Sequence, residues 1–346
     1  MLGFDQRAAR STWTAALVLL LLWVVYLART ALFVFILALL FAYLLSPLVS
    51  LLARIFPGRR RRTPALALAY VIVVGIAAGL GFQIGARVVD EATALARKFP
   101  AMAQSWQQPL PNDHSLQAQI VEKARAELAA RSSSLIAELP QYGLKLLSIA
   151  TNAIYVVIIP ILAFFFLKDA PLIREHVLDL MEEGPRRALF GDLISDVHLL
   201  LAHYIRALFV LSVAAFVAYA IFFSLMGVPY AILLAVIGGL LEFIPLLGPL
   251  TAAVLILIVA GLAGVGLLPI LAFLAVYRVI QDYLFSPSLM GRGVELHPLL
   301  VLFGVFAGAE IAGIAGSFLS VPVLALVRIV YLNIRKARLN ARQATT

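Results

Sequence analysis

Long apolar runs separated by short charged breaks dominate this chain, and their length is the first clue to its fold. Three open it, Trp13 to Ala28, Ala31 to Ala53 and Pro64 to Ala86, and each approaches or exceeds the ~20 residues that a helix needs to cross a hydrocarbon core of about 30 Å. Leu146 to Leu167 and Ala207 to Met226 repeat the pattern, and Tyr230 to Leu262 and Pro298 to Leu332 are longer still. Between Arg87 and Lys145 such runs vanish, but Leu116, Ile120, Ala124 and Leu128 recur every fourth residue, as a one-faced helix requires. A second stripe, Phe190, Ile194, Val197, Leu201 and Ile205, leads into the span that begins at Ala207. The pattern predicts an all-α polytopic membrane protein with transmembrane helices, amphipathic helices and two broken, re-entrant hairpins.

Composition supports this. Of 346 residues 63% are hydrophobic and 13% charged, against about 25% charged in soluble domains. The formal charge of +9 would suggest nucleic acid on a soluble protein, but the basic residues lie between and after the apolar runs. They are read as topology signals and contacts with anionic lipid headgroups, with no nucleic-acid partner. Arg54 and Arg59 to Arg62 crowd one short loop, which the positive-inside rule places in the cytoplasm together with the N-terminus. Arg335, Lys336, Arg338 and Arg342 place the C-terminus there too. Trp13 to Ala28 reads as an uncleaved first helix, since a small-x-small cleavage pattern is missing and Arg29 follows directly. The absence of cysteine removes disulfides and thiolate chemistry.

Five segments result: N-terminal transmembrane helices (1–86), an extracytoplasmic amphipathic segment (87–145), transmembrane helices with a cytoplasmic amphipathic helix (146–226), a core with two broken hairpins (227–334) and a basic tail (335–346).

The core carries the candidate chemistry. EFIPLLGP places Glu242, Pro245, Gly248 and Pro249 where a continuous helix would be buried; proline removes a donor and clashes with the preceding turn, and glycine permits a reversal. GAEIAGIAGSFLSVP brings Glu310, Gly313, Gly316 and Pro322 into the last long run, which then suits a helix-turn-helix returning to the same side. Aligning the breaks gives E-x-x-P-x-x-G and E-x-x-G-x-x-G, a weak internal repeat. Paired interruptions of this kind point to a transporter's binding site, where half-helix ends face the substrate. Glu242 and Glu310 are then proton- or cation-responsive carboxylates beside the path, or helix-end acids held by local backbone donors. Between the breaks, Arg278 and Asp282 stand four apart and share a helix face, followed by Pro287, Arg292 and His297.

At these residues the chain resembles the AI-2E (autoinducer-2 exporter) transporter family. EFIPLLGP is close to that family's N-x-I-P-Y-x-G-P, and the stretch from Gln281 to Val323 is similar to its S-P-x-[LIM]-M-G-[RK]-x-V-x-[LM]-H-P block and the glycine-rich run beyond it. Glu242 stands where many members have Asn, and Leu246 where Tyr is common. The resemblance implies a bacterial inner-membrane exporter of small polar solutes such as autoinducer-2, sodium(lithium)/proton antiport in some members, hairpins moving in an elevator-like way, and a homopentamer. It implies no cofactor.

Other classes fit less well. No G-x-x-x-x-G-K-[ST] loop serves a nucleotide-driven pump, and the pairs Gly75/Gly79 and Gly304/Gly308 read as helix packing or oligomer contacts. The five histidines form no H-E-x-x-H spacing, and Asp192 and Asp196 read as a solvated face, so neither a metal site nor an enzyme is expected. A passive channel or a scaffold stays open.

Overall fold

The computed structural model describes residues 6–55, 62–106, 153–285 and 296–343. The stripe from Leu116 to Leu128 lies outside them, as do Pro287 and Arg292. All regular elements among the described residues are helices: α1 (Gln6–Leu27), α2 (Arg29–Leu52), α3 (Arg62–Trp106), α4 (Ala153–Asp179), α5 (Pro185–Leu225), α6 (Ala231–Leu241), α7 (Leu247–Leu262), α8 (Leu267–Ile280) with a π-helical turn (Gln281–Phe285), and α9 (Pro298–Gln343). Seven are long and apolar enough to cross a membrane, which makes this an all-α polytopic membrane protein.

Leu40 of α2 is buried against Tyr204, Ile205 and Leu208 of α5, and the other buried residues, Val34, Ala38, Ala42, Leu45, Val49 and Leu52, recur at three- and four-residue steps along one face. It packs on Ala65, Leu66 and Ala69 of α3 and on Ala163 and Leu167 of α4. The Tyr70 hydroxyl ties α3 to α4 by donating to the Pro160 carbonyl at 2.8 Å. α1 differs, for none of its apolar window is buried; its whole circumference is left for lipid or other protein.

Two helices outrun the apolar segments that announced them. α3 continues through Arg87, where the apolar run stops, to Trp106, and α5 joins the Phe190–Ile205 stripe and the following span in one helix of 41 residues. At 1.5 Å per residue α5 is about 60 Å long, twice the hydrocarbon core. Charged residues ended the apolar pattern without ending the helix, since most of them propagate helices well. Asp192 and Asp196 are exposed, but Asp196 Oδ2 also accepts from the buried Asn333 Nδ2 of α9 at 3.1 Å, so of the two only Asp192 is left as a simple solvated acid.

The principal core lies between α5, α6, α7 and α8. Ala215, Tyr219 and Phe223 of α5 meet Leu234 and Ala235 of α6, Ala252, Ile256 and Val259 of α7, and Ile270, Leu274 and Tyr277 of α8. Phe222 and Phe273 stack at 3.9 Å between ring centroids, and Tyr219 meets Tyr277 edge-on at 5.2 Å. Glycine sets the approach of α6 to α5: a Cβ on Gly238 would stand 2.5 Å from the Tyr219 ring, and one on Gly239 3.0 Å from the Ser212 carbonyl. Ser212 Oγ donates to the Gly239 carbonyl at 2.7 Å, so this close crossing is also hydrogen-bonded.

Candidate functional site

Both expected breaks occur. α6 and α7 have 11 and 16 residues, about 16 and 24 Å at 1.5 Å per residue, each short of a ~30 Å core. They form a hairpin whose turn is Glu242 to Leu246. Ile244 N–H donates to the Leu241 carbonyl (2.9 Å), Leu247 N–H to Pro245 (2.7 Å) and Gly248 N–H to Ile244 (3.0 Å), so the turn satisfies much of its own backbone. That is the condition for non-helical chain in an apolar setting. Leu246, at φ 65° and ψ −58°, is the centre of a γ-turn of the strained sort, held by the Pro245–Leu247 bond. Gly248 has no alternative, since a Cβ there would stand 1.8 Å from the Leu241 carbonyl oxygen; Pro249 follows in the first turn of α7, where its missing N–H costs nothing.

The second break falls at Ala312 (φ −142°, ψ 21°) and Gly313 (φ 61°, ψ −141°), inside α9. The two arms fold back on each other. A Cβ on Gly304 would meet Leu324 at 2.5 Å, and Gly308 and Gly316 face each other so closely that a Cβ on either would stand 2.4 Å or less from the other's carbonyl oxygen. Ser317 Oγ donates to the Val305 carbonyl across the pair at 3.2 Å. Although α9 qualifies as a span by length and composition, its reversal makes the first part half of a hairpin. The packing expected of Gly304 and Gly308 is met within this hairpin, whereas Gly75 and Gly79 have nothing within 4 Å of a would-be Cβ among the described residues. The two hairpins touch through Phe243 and Phe318, edge-on at 5.8 Å.

Glu242 is the C-cap of α6 and only 5% exposed. Its Oε2 accepts a 2.6 Å hydrogen bond from Gln281 Nε2 at the start of the π-helical turn, and Gln281 is 2% exposed. Three buried oxygens around this bond have no hydrogen-bond partner among the described residues: Glu242 Oε1, Gln281 Oε1 and the Tyr277 hydroxyl. Buried polar atoms without partners are uncommon in native folds, and π-turns are frequent at functional sites. Arg278, Asp282, Tyr219 and Tyr277 all lie close enough to interact electrostatically with Glu242.

α8 supplies this site from two adjacent faces. Ile270, Leu274, Tyr277 and Gln281 follow one buried helical stripe. One residue on, Arg278 Nε donates to Asp282 Oδ2 at 2.8 Å, with side chains 39% and 45% exposed. The predicted pair is therefore made, but beside the buried stripe and partly in the open.

The other sequence-derived candidates are distributed differently. Glu310, equated with Glu242 by the repeat, is exposed. His297 is also exposed and begins α9: its carbonyl accepts from Leu300 and Val301, and its Nδ1 lies 3.3 Å from the Leu299 N–H. Gln281, Tyr277 and Tyr219 join the site from outside the sequence-derived candidates. The signal for the first two was on α8, an amide and a phenol four apart on an otherwise apolar stripe; Tyr219, on another helix, left none.

A bundle of apolar helices around two interrupted hairpins, one of them with a buried carboxylate–amide pair, defines a multi-pass membrane protein with a polar centre in its core. The family profile described as AI-2E family transporter matches residues 15–336, nearly the whole chain, and the chain belongs to that family. Among its relatives, YueF of Bacillus subtilis is 27% identical over 313 residues, covering 84% of this chain and 81% of YueF. YrrI of the same organism is 29% identical over 181 residues, and the match spans about half of each protein (52% and 51%). PerM of Escherichia coli K12 is 26% identical over 254 residues, 70% of this chain and 66% of PerM. YueF and YrrI are provisionally named transport proteins and PerM a permease. The fold and these relatives support a role in membrane transport.

Proposed function

We propose that this chain is a secondary transporter that exports a small polar solute, of the autoinducer-2 type, with Glu242 coupling the movement to a proton or cation. The observation that carries this reading is the buried Glu242–Gln281 pair at the turn of the first hairpin. A lone buried carboxylate is costly to leave charged, so it favours a bound proton or cation as its compensation. The unpartnered oxygens of Glu242, Gln281 and Tyr277 offer acceptors to either one. With the charge compensated, the hairpin tip is free to shift against its walls, and solute and ion cross in linked steps. The other candidates have smaller parts: Arg278 and Asp282 hold the rim, Pro245, Gly248 and Pro249 shape the turn, and Glu310, Gly313 and Gly316 shape the second hairpin. Pro287, Arg292 and His297 belong to the segment that joins the two.

The same carboxylate favours a second reading, sodium(lithium)/proton antiport with no organic solute. In both, the protein lies in the inner membrane of a bacterium with both termini in the cytoplasm, contacts lipid over α1 and assembles as a homo-oligomer, a pentamer by the family resemblance.

Purified protein in liposomes tests the proposal. A labelled polar solute is expected to move faster with an imposed proton or sodium gradient, and Glu242→Gln is expected to abolish the gradient's effect while leaving the oligomer intact. Cation–proton exchange without solute flux establishes antiport instead. Gradient-independent conductance marks a channel, and no flux of any kind marks a scaffold.

A further inference from the structure

The first hairpin is held at its base as well as at its turn. α6 starts after Tyr230, a left-handed residue (φ 63°) that supplies no side-chain cap. The first N–H groups of a helix have no partner within it and must find one elsewhere when buried. Leu233, 8% exposed in the first turn of α6, finds one on another helix: its N–H donates to Glu91 Oε2 of α3 at 2.8 Å. Glu91 lies beyond the apolar run that ends at Ala86, in the continuation of α3.

The same stretch of α3 carries three further contacts. Leu95 packs against the core formed by α5 to α8, and Phe99 and Met102 pack against Ile258 and Leu262 in the last turns of α7. Positions 91, 95, 99 and 102 follow the three- and four-residue steps of one helix face. Because α6 and α7 are antiparallel, the start of α6 and the end of α7 lie at the same end of the hairpin. One stripe of α3 therefore grips both strands of its base, with a carboxylate on the helix N-terminus and an apolar clasp on the partner.

We propose that this stripe is a latch, with Glu91 as the positioning residue that holds the hairpin base in one of its transport positions and lets go when the hairpin moves. A carboxylate suits the task because it satisfies a buried donor and complements the positive end of α6 without being part of the hairpin. Release returns Glu91 to water and obliges the Leu233 N–H to find another acceptor, which gives the element two discrete states rather than a continuum. The proposal rests on the hairpin being the transport element.

Its test separates the latch from the transport reading. Hydrogen exchange of the first-turn amides of α6, in lipid nanodiscs without solute, is expected to accelerate about tenfold in Glu91→Ala and by less in Glu91→Gln, which keeps one acceptor oxygen. The amides of Ile244 and Gly248 serve as the internal reference and should not change. Unchanged exchange at Leu233 in Glu91→Ala overturns the latch whatever the protein transports. The second arm uses the chain's lack of cysteine. Phe99→Cys combined with Leu262→Cys, bridged by a short reducible bis-thiosulfonate, is expected to stop flux in liposomes, and reductant to restore it. Full flux in the bridged protein means that α3 and the hairpin move as one body, and it also overturns the latch. Failure of the unmodified protein to move anything overturns the transport reading instead, and the exchange result still decides whether Glu91 holds the hairpin.

Discussion

In the first hairpin the acid of the E-x-x-P-x-x-G pattern, Glu242, is 5% exposed and tied to Gln281 of α8; in the second, the acid of E-x-x-G-x-x-G, Glu310, stands exposed just ahead of the break at Ala312 and Gly313. The two turns share their steric solution. Gly248 lets α7 pass the Leu241 carbonyl, and Gly308 and Gly316 let the arms of α9 pass each other. They differ in their walls: Phe243 of the first turn packs against Tyr204, Ile205 and Leu208 of α5 and Glu242 is bonded to Gln281 beyond α8, whereas Glu310 is exposed. A local pattern thus sets where a helix breaks, and the neighbouring helices decide whether the acid beside the break becomes a buried charge. Of the two acids only Glu242 is buried, and the second break rests on the close approach of Gly308 and Gly316.

The largest expected effect attacks what the hairpins share. Gly248→Ala puts a methyl group against backbone that has nowhere to go, and Gly308→Ala does the same in α9. Each is expected to cost about 3 kcal/mol, the upper end for overpacking. Gly75→Ala, with open space around it among the described residues, is the control and should leave stability level or slightly raised, since alanine is the better helix former. Thermal unfolding in detergent, followed by tryptophan fluorescence, ranks the three. Equal midpoints for Gly248→Ala and Gly75→Ala would remove the close approach on which the first hairpin depends.

Next in size is the contrast between the acids. Glu242→Gln is expected to lower gradient-driven flux about tenfold or more, corresponding to loss of about 1.4 kcal/mol of coupling, and Glu310→Gln to change it less than twofold. Gln281→Leu should act in the same direction as Glu242→Gln and in addition cost about 1–3 kcal/mol of stability, because the buried carboxylate loses its donor. Flux measured in liposomes against pH, beside the unfolding midpoint, reads both. Equal sensitivity of the two acids would return them to the equivalence that their spacing suggested.

That spacing shows how far the chain could be read without coordinates. The spans other than α8, both breaks and the Arg278–Asp282 pair were legible because each is fixed within a few residues by apolar run length, by proline and glycine, or by a step of four, whereas α8 was not legible as a span. The same reasoning chose the charged pair of α8 over the neighbouring Tyr277 and Gln281, which are the residues that turn inward. Charge signals a functional candidate more loudly than an amide does, but α8 leaves its ions near the edge and buries the amide. Tyr219, Gln281 and Glu91 meet their partners across 23, 39 and 142 residues respectively, taking Glu242 as the reference for the first, and no local periodicity encodes such distances. α3 runs on past its apolar segment for a related reason, since loss of apolar character marks where a helix leaves lipid and not where it ends.

The smallest expected effect asks whether the strain in the first turn has a use. Leu246 is held at positive φ, where a leucine side chain costs about 1–3 kcal/mol relative to an unstrained backbone, whereas the second hairpin uses glycine, Gly313, at its positive-φ position. Leu246→Gly makes the two turns alike in this respect. Relief of strain and the greater freedom of glycine in the unfolded chain oppose each other, so the net gain in stability is expected to stay below about 1 kcal/mol. Leu246 is 47% exposed, and little packing is lost with its side chain. Transport responds differently if the strain fixes the position of Glu242, four residues away: the flux of Leu246→Gly should then fall while its unfolding midpoint holds or rises. A variant more stable and equally active would show that the turn needs only its hydrogen bonds and Gly248 to present the carboxylate to Gln281.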